Sequence, residues 1–431
     1  MQSYSASPNT SQGRLRRNLV RLASGTILAQ VLMIAATPIL TRIYNPSAFG
    51  VMAVFSSAYA IVIGFTTFKY DAAVILPRAH RNAARITLLV VILATLLSAV
   101  VAVAASALDA TGLVTIPFSV AWLVCALWLG ATYTLTQQWS ARIANYRYYA
   151  RSQVLGTVFN VGIGLLCGWL WGGTANFLIL GFTAGLAVSL LYMCWEFGVW
   201  KLPRTPLKGK SMIRQAAAYR QFPLLVLPTA LLTTIGTSSI PLILSANYSL
   251  GEVGAFAVAN RLLLVPAALI GGALTEAFRA EFVSRVRERK SAGDLYGKTL
   301  RVLVLVAAPA FGLLALLAPM LFLHIFGVNY AASGVIGRAV ALALFAQFIN
   351  TPFAYVFVAL RKPGIGLLAQ VGTTVVPLTA LAICASRGVP LTPALYVYSA
   401  ITALGVLVAQ IAVYRLCAHA DRAIVKEGEV I

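Results

Sequence analysis

One arginine, Arg261, lies inside a long apolar stretch of the sequence that begins near Val253. A guanidinium at the centre of a membrane helix costs roughly 2.5–3.5 kcal/mol on insertion scales, so an interaction must offset its burial. In a water-filled cavity this side chain could hold a phosphate or an acidic sugar through two parallel hydrogen bonds. Alternatively, it reaches the outer surface or bonds to backbone carbonyls of a neighbouring helix. The pattern favours the first interpretation, which makes Arg261 the leading candidate for substrate binding.

Carboxylates are rare in the apolar stretches, and two of them, Asp71 and Glu276, are candidates for binding a coupling ion. Asp71 lies close to Lys69, toward one end of the second apolar stretch, Phe49–Leu76. Residues two apart on a helix do not face each other, so a mutual ion pair is not expected and each needs another partner. Asp71 and Glu276 could each bind a proton or cation, although anchoring at the membrane interface is the alternative for both.

Polar amides within the apolar stretches could line a cavity that binds sugar hydroxyls. Interhelical hydrogen bonds are an equally good interpretation of such residues. Together with Arg261, the cavity candidates are Arg42, Gln30, Gln347 and Asn350.

The residues offer little for covalent chemistry. Three histidines, His80, His324 and His419, are scattered, and five cysteines show no spacing typical of a metal or redox site. No carboxylate pair or nucleophile motif occurs at a plausible position. We therefore predict no catalytic residue, no cofactor and no metal, which makes transport the better class.

The elements that position these residues follow from composition. The chain has 431 residues, of which 60% are hydrophobic and 10% charged, and its mean hydropathy is +0.86. Such a chain belongs in a membrane, where backbone groups must be satisfied within helices or a closed barrel. Its apolar runs are continuous rather than alternating, so we predict an all-α polytopic bundle. About twelve spans of suitable length emerge: Leu22–Ile43, Phe49–Leu76, Ile86–Leu108, Ile116–Trp139, Val154–Trp171, Phe177–Val199, Phe222–Ala246, Val253–Phe278, Val302–Phe326, Val335–Leu360, Ile365–Ser386 and Leu391–Leu416.

The distribution of basic residues tests this threading. Of 33 Lys and Arg residues, 28 fall in or beside segments on one side of the membrane, and the other side has only Arg42, Arg338 and Arg387. Because cytoplasmic loops hold most of the Lys and Arg, both termini are expected in the cytoplasm. The net charge of +22 then serves topology and contact with anionic lipids rather than nucleic acid. The short outer loops leave no room for a periplasmic catalytic domain.

The spans divide into two sets of six. We expect a cytoplasmic leader at 1–21, six-helix lobes at 22–199 and 222–416, a connecting loop at 200–221 and a cytoplasmic tail at 417–431. A faint echo between Phe49–Val54 and Val253–Val258 favours two parallel halves. Transporters are often built from such repeats.

Four stretches of the sequence, in their order and topological places, resemble the polysaccharide transporters, or O-antigen and exopolysaccharide flippases, of the multidrug, oligosaccharidyl-lipid and polysaccharide exporter superfamily. They are Thr41–Gly50, Lys69–Pro77, Ala259–Pro266 and Ile325–Tyr330.

The resemblance implies two six-helix lobes around a central cavity that moves undecaprenyl-pyrophosphate-linked oligosaccharides from the cytoplasmic to the periplasmic leaflet of the bacterial inner membrane by alternating access. Arg261 matches the position expected for the cavity, and Asp71 matches a motif residue. Implied partners are the lipid-linked oligosaccharide, membrane lipids, and polysaccharide polymerase and chain-length machinery. Three alternatives stay open: a multidrug or cation exporter, a peptidoglycan-precursor flippase, and a membrane polysaccharide polymerase or ligase.

Overall fold

The computed structural model describes residues 8–112, 116–197 and 209–428, without the side chains of 8–23, 209–211, 265–270, 273 and 423–428. All regular structure in these residues is helical, which confirms the predicted fold class. Residues 1–7 of the predicted leader, 200–208 of the predicted connecting loop and 429–431 of the predicted tail lie outside the described residues.

The chain forms two compact units, Met1–Ser238 and Ser239–Ile431. The helices of the first unit are α1 (Pro8–Ile43), α2 (Pro46–Thr66), α3 (Tyr70–Ala73), α4 (His80–Ala110), α5 (Val120–Arg142), α6 (Tyr146–Trp171), α7 (Ala175–Phe197), α8 (Gly209–Ala218), a π-helical turn (Phe222–Val226) and α9 (Leu227–Ser238).

The second unit has the same all-helical character. Its helices are α10 (Ile240–Ser245), α11 (Leu250–Arg287), α12 (Ala292–Leu321) with a π-helical end (Phe322–Phe326), a 3₁₀ turn (Val328–Tyr330), α13 (Ala331–Asn350), a 3₁₀ turn (Thr351–Tyr355), α14 (Val356–Ala359), α15 (Pro363–Gln370), a π-helical turn (Val371–Val375), α16 (Val376–Ser386) and α17 (Leu391–Gly428).

Most of these helices can cross a bilayer. Ten helical segments are long and apolar enough to do so among the described residues, and a bent pair, Met212–Ala218 with Phe222–Ser238, adds an eleventh. The remaining predicted span falls in α11, part of whose side chains are not described. The protein is therefore a multi-pass membrane protein.

The predicted second span, Phe49–Leu76, is too long. The helix α2 ends at Thr66, and Phe68 and Lys69 follow with φ of +46° and +58°. A left-handed conformation at two successive residues with side chains cannot continue a right-handed helix. Lys69 and Asp71 therefore lie in a turn and a short helix beyond the span.

Several predicted loops are instead helical. The segment Arg279–Arg301 contains the end of α11 and the start of α12, and only Glu288–Ser291 separates the two helices. Ion pairs at helical spacing stabilise these polar turns, such as Arg285 with Glu281 at 2.8 Å. Apolar length alone could not predict these extensions, because they lie beyond the hydrocarbon.

Prolines explain where the long helices change their geometry. The π-helical turn Phe222–Val226 precedes Pro228, and Val371–Val375 precedes Pro377. A proline removes one backbone donor and crowds the preceding turn, so the helix widens locally. The predicted span Phe222–Ala246 is consequently interrupted.

The division between the compact units falls at Ser238, inside the predicted seventh span. It lies later in the chain than the loop at 200–221, where the sequence places it. The physical reason is that α9 packs on α2 in the first unit, with Leu231 close to Gly64.

Candidate substrate-binding site

The orientation of α11 is fixed at its start and along one side. Ser249 begins the helix with a capping box, in which its hydroxyl accepts from the Glu252 amide at 3.3 Å and the Glu252 carboxylate accepts from the Ser249 amide at 3.1 Å. Ala259 and Leu263 then pack against α13 at Gly337, where an added Cβ would lie 3.7 and 3.4 Å from their side chains. At about 100° per residue, a position midway between Ala259 and Leu263 points away from α13.

Arg261 occupies that position and is half-buried. Its guanidinium has no hydrogen bond or ion pair with any residue that the structure describes, and its nitrogens are not among the sealed, unsatisfied atoms. Backbone carbonyls of described neighbours therefore do not occupy its donors. Within the described part of the chain, its five N–H groups have no acceptor.

Gln347 and Asn350 of α13 take part in interhelical hydrogen bonds. Gln347 Nε2 donates to the Tyr398 hydroxyl at 3.3 Å, and Asn350 Oδ1 accepts from Gln410 Nε2 at 3.0 Å. The Tyr296 hydroxyl donates to the Gln410 backbone oxygen at 3.2 Å, which adds α12 to the network. The structure thus gives both candidates a packing role between α13 and α17.

Glu276, a candidate for ion coupling, is exposed and pairs with Arg279 one turn later on α11, at 3.5 Å. The Arg279 guanidinium lies 5.3 Å from the centre of the Tyr355 ring. Exposed pairs of this kind contribute about 0.2–1 kcal/mol. Glu276 is therefore a paired surface carboxylate rather than an isolated one.

Gln30 and Arg42, the candidates on α1, are not brought together. Gln30 is half-buried and Arg42 is exposed in the last turn, about 18 Å further along the axis at 1.5 Å per residue. Neither has a hydrogen-bond or ion-pair partner within the described part of the chain. The two residues cannot contact the same small group.

The motif around Arg42 is mostly structural. The buried Tyr44 hydroxyl donates to the Gly164 oxygen at 2.6 Å, which ties the end of α1 to α6. Asn45 caps α2 by accepting from the Ala48 amide at 2.9 Å, and Pro46 begins that helix. Proline is well suited to a first helical position.

Asp71 is held inside the turn that follows α2. It is 3% exposed, and its Oδ1 accepts from the Thr67 hydroxyl at 2.7 Å. Lys69 does not pair with it among the described residues. Left-handed residues such as Phe68 and Lys69 cost of order 1–3 kcal/mol each, so their surroundings must hold them in place.

Arg142 holds that surrounding segment, a role that the sequence did not reveal. Its guanidinium donates to the backbone oxygens of Val74 at 3.0 Å and Ile75 at 3.2 Å, and it lies 5.7 Å from the Trp139 ring centre. From the sequence, Arg142 is only one of the basic residues on the cytoplasmic side. Trp139, three residues earlier, was the available signal, because i,i+3 residues are neighbours on a helix.

Arg338 has a similar structural explanation. Its Nε donates to the Ala315 oxygen at 3.1 Å. In a regular helix that carbonyl would accept from residue 319, but Pro319 has no N–H. The arginine of α13 therefore satisfies a carbonyl that a proline leaves free in α12.

Charged residues cluster in the turn after α11, which lies outside the predicted spans. The ammonium of Lys290 lies 2.6 Å from the Glu288 carboxylate, and this hydrogen bond lowers the pKa of Glu288 below its usual value. The Asp421 carboxylate of α17 accepts from the amides of Ala292 at 2.7 Å and Gly293 at 3.0 Å. It thereby caps α12 from a distant part of the sequence.

Comparison with known families identifies the chain. A family described as polysaccharide biosynthesis protein matches residues 39–334, which is more than half of the sequence. The chain belongs to this family. The match confirms the predicted polysaccharide transporter family and includes both Arg42 and Arg261. Among curated proteins, none matches the sequence significantly.

Solved structures show which fold this chain has. The lipid II flippase MurJ in an inward closed conformation is 12% identical, with a TM-score of 0.72 over 94% of this chain and 91% of that one. An inward-facing multidrug resistance MATE family transporter of the MOP superfamily is 14% identical, with a TM-score of 0.68 over 95% and 99%. A MOP superfamily transporter from Pyrococcus furiosus is 13% identical, with a TM-score of 0.56 over 94% and 96%. The fold is therefore that of the MOP superfamily.

Proposed function

We propose that this protein is a flippase for lipid-linked oligosaccharides. It moves undecaprenyl-pyrophosphate-linked repeat units of O-antigen or exopolysaccharide from the cytoplasmic to the periplasmic leaflet by alternating access. It works in the bacterial inner membrane, with both termini in the cytoplasm, and catalyses no covalent reaction. Its product passes to polysaccharide polymerase and chain-length machinery.

The guanidinium of Arg261, which has no partner among the described residues, carries the proposal. A diphosphate cannot cross hydrocarbon without a compensating charge, because the cost of burying an ion is several kcal/mol or more. Arginine suits this task, since its fork matches two phosphate oxygens and it stays protonated in proteins. The donors of Arg261 have no partner among the described residues, and Arg261 lies in α11 within the predicted span Val253–Phe278.

Two further observations support this function. The family description concerns polysaccharide biosynthesis, and one structural neighbour is titled a lipid II flippase. The excess of Lys and Arg on one side of the predicted topology supports the orientation.

The test compares Arg261→Ala with Arg261→Lys and with Arg415→Ala in a strain that depends on this protein for its surface polysaccharide. Arg415 is a suitable control because it is an exposed arginine on a membrane helix of the same unit. We expect Arg261→Ala to abolish export at a normal level of inserted protein, Arg261→Lys to keep part of it, and Arg415→Ala to keep all of it. Lipid-linked sugar should accumulate on the cytoplasmic leaflet of the Arg261→Ala strain. Wild-type export by that variant would remove Arg261 from the site.

The same strains discriminate between the related transport functions. A multidrug or cation exporter would lower the accumulation of a cationic dye, and a peptidoglycan-precursor flippase would be essential for growth. We expect deletion to change neither dye accumulation nor viability, while surface polysaccharide is lost.

A further inference from the structure

A groove on the first unit combines two arginines with an apolar floor. Arg147 and Arg151, one turn apart on α6, line a cavity of about 630 Å³. Its remaining lining residues, among them Gly25, Leu28, Ala150 and Tyr192, come from α1, α6 and α7. At its base α1 and α6 touch, because an added Cβ on Gly25 would meet the Ala150 Cβ at 2.6 Å. The groove therefore has a closed apolar floor and a basic rim.

The two guanidiniums are available to a ligand. Both arginines are exposed, and neither has a carboxylate within ion-pair distance among the residues that the structure describes. Arg151 approaches the hydroxyl of Tyr192, which donates its proton to Glu196 at 2.8 Å. Even with the charge of Glu196 included, the rim keeps a net positive charge and most of its N–H donors.

Aromatic residues place this rim at the level of lipid head groups. The helices α6 and α7 are antiparallel neighbours, so the start of α6 lies beside the end of α7. Near that end Trp195 is 80% exposed, and at the opposite end of the pair Trp169 is 78% exposed. Tryptophan belts mark the two membrane interfaces. Arg147 and Arg151 therefore belong to one interface, which the charge pattern assigns to the cytoplasmic side.

An apolar stripe continues from the arginines along the same side of α6. Positions 155, 158, 162, 166 and 169 follow Arg151 at helical spacing, and Val158, Leu166 and Trp169 are 46%, 58% and 78% exposed. A lipid whose head group lies on the arginines would find a hydrophobic surface for its chain along this stripe.

We infer that this groove binds the diphosphate head group of a polyprenyl carrier lipid in the cytoplasmic leaflet, before the lipid reaches Arg261. Two adjacent phosphoryl groups offer oxygens to both guanidiniums at once, whereas the phosphodiester of a bulk phospholipid offers one group. The stripe on α6 accommodates the isoprenoid. The identity of the carrier rests on the proposed function, but the recognition of a lipid diphosphate rests on the groove alone.

The experiment measures binding of farnesyl diphosphate to the full-length protein in nanodiscs of phosphatidylcholine. The test variant carries Arg147→Gln and Arg151→Gln. The control carries Arg214→Gln and Arg220→Gln, which removes the same charge from exposed arginines of the same unit and the same side. We expect the test variant to bind about tenfold more weakly or worse, and the control to bind as the wild type does.

Competition with phosphatidylglycerol identifies the source of the phosphate. We expect it to displace farnesyl diphosphate poorly; displacement at equal concentration would show a general site for anionic phospholipids and overturn the inference. Unchanged binding by the Arg147→Gln, Arg151→Gln variant would overturn it as well. The deletion strain separates the two proposals. Surface polysaccharide that persists without this protein refutes the proposed function, whereas diphosphate binding at the groove is measured on the purified protein and does not depend on export.

Discussion

The carbonyl of Ala315 offers a quantitative test of how this bundle satisfies its backbone. Pro319 removes the amide that would bond to this oxygen, and Arg338 supplies Nε at 3.1 Å instead. The contact borders a cavity of about 270 Å³ lined by apolar residues such as Phe311 and Phe345. The contribution of Arg338 to stability should therefore depend on the presence of Pro319.

Four proteins test that dependence: the wild type, Arg338→Met, Pro319→Ala and the double variant. In the wild-type background, Arg338→Met leaves the Ala315 oxygen without a donor, which costs about 1.5–3 kcal/mol for a hydrogen bond from a charged group in soluble proteins. Interhelical bonds in membranes are weaker, averaging about 0.6 kcal/mol with a maximum near 1.7. We therefore expect a loss of about 1–2 kcal/mol. In the Pro319→Ala background the new amide takes the carbonyl, and the loss should nearly vanish.

The free energy of unfolding can be followed by titrating the purified protein with SDS and reading helix content by circular dichroism. Pro309→Ala serves as the matched control, because it restores an amide in α12 at a position that Arg338 does not serve. Combined with Arg338→Met, it should give an additive result. Equal losses from Arg338→Met in the wild-type and Pro319→Ala backgrounds, within about 0.5 kcal/mol, would refute the reasoning.

Three further substitutions probe other contacts. Gly334→Ala should lower the free energy of unfolding by about 1–3 kcal/mol, because the added Cβ would lie 2.5 Å from a backbone atom of α12. Gly312→Ala is the control and should not lower it, because its Cβ would meet open space; SDS titration compares the two variants. Asp421→Ala should destabilise the start of α12 by about 1–2 kcal/mol, seen as faster amide hydrogen exchange there, since two backbone donors lose their acceptor. Asp71→Ala should lower the thermal stability, because the Thr67 hydroxyl loses its partner, and an unchanged melting temperature would contradict a structural role.

Apolar length and basic-residue asymmetry were enough to predict the fold class and most spans, because both reflect the bilayer rather than details of packing. The same signals could not predict the end of α2, which depends on left-handed conformations at Phe68 and Lys69. They also could not predict α11 beyond the hydrocarbon, where ion pairs such as Arg285 with Glu281 stabilise the helix.

For the candidate site, the sequence indicates residues whose charge is conspicuous in an apolar run. Arg261 is such a residue; it has no partner among the described residues, and its role in substrate binding stays a prediction. Gln347 and Asn350 have the same residue type as cavity-lining residues, but their bonds to Tyr398 and Gln410 depend on the pairing of distant helices. From the sequence, Arg147 and Arg151 are only two of the basic residues on the cytoplasmic side. Their groove also needs α1 and α7, whose packing beside α6 the sequence does not indicate.

The four-residue turn between α11 and α12 has a practical consequence for mapping topology. The Asp421 carboxylate accepts hydrogen bonds from the backbone amides directly after this turn, at Ala292 and Gly293. A reporter enzyme or epitope inserted at Glu288–Ser291 would break the hydrogen bonds from the amides of Ala292 and Gly293 to Asp421. It would therefore report on a damaged protein. Fusions placed after residue 428, where α17 ends, leave these hydrogen bonds intact. They are therefore the better way to establish on which side of the membrane the turn between α11 and α12 lies.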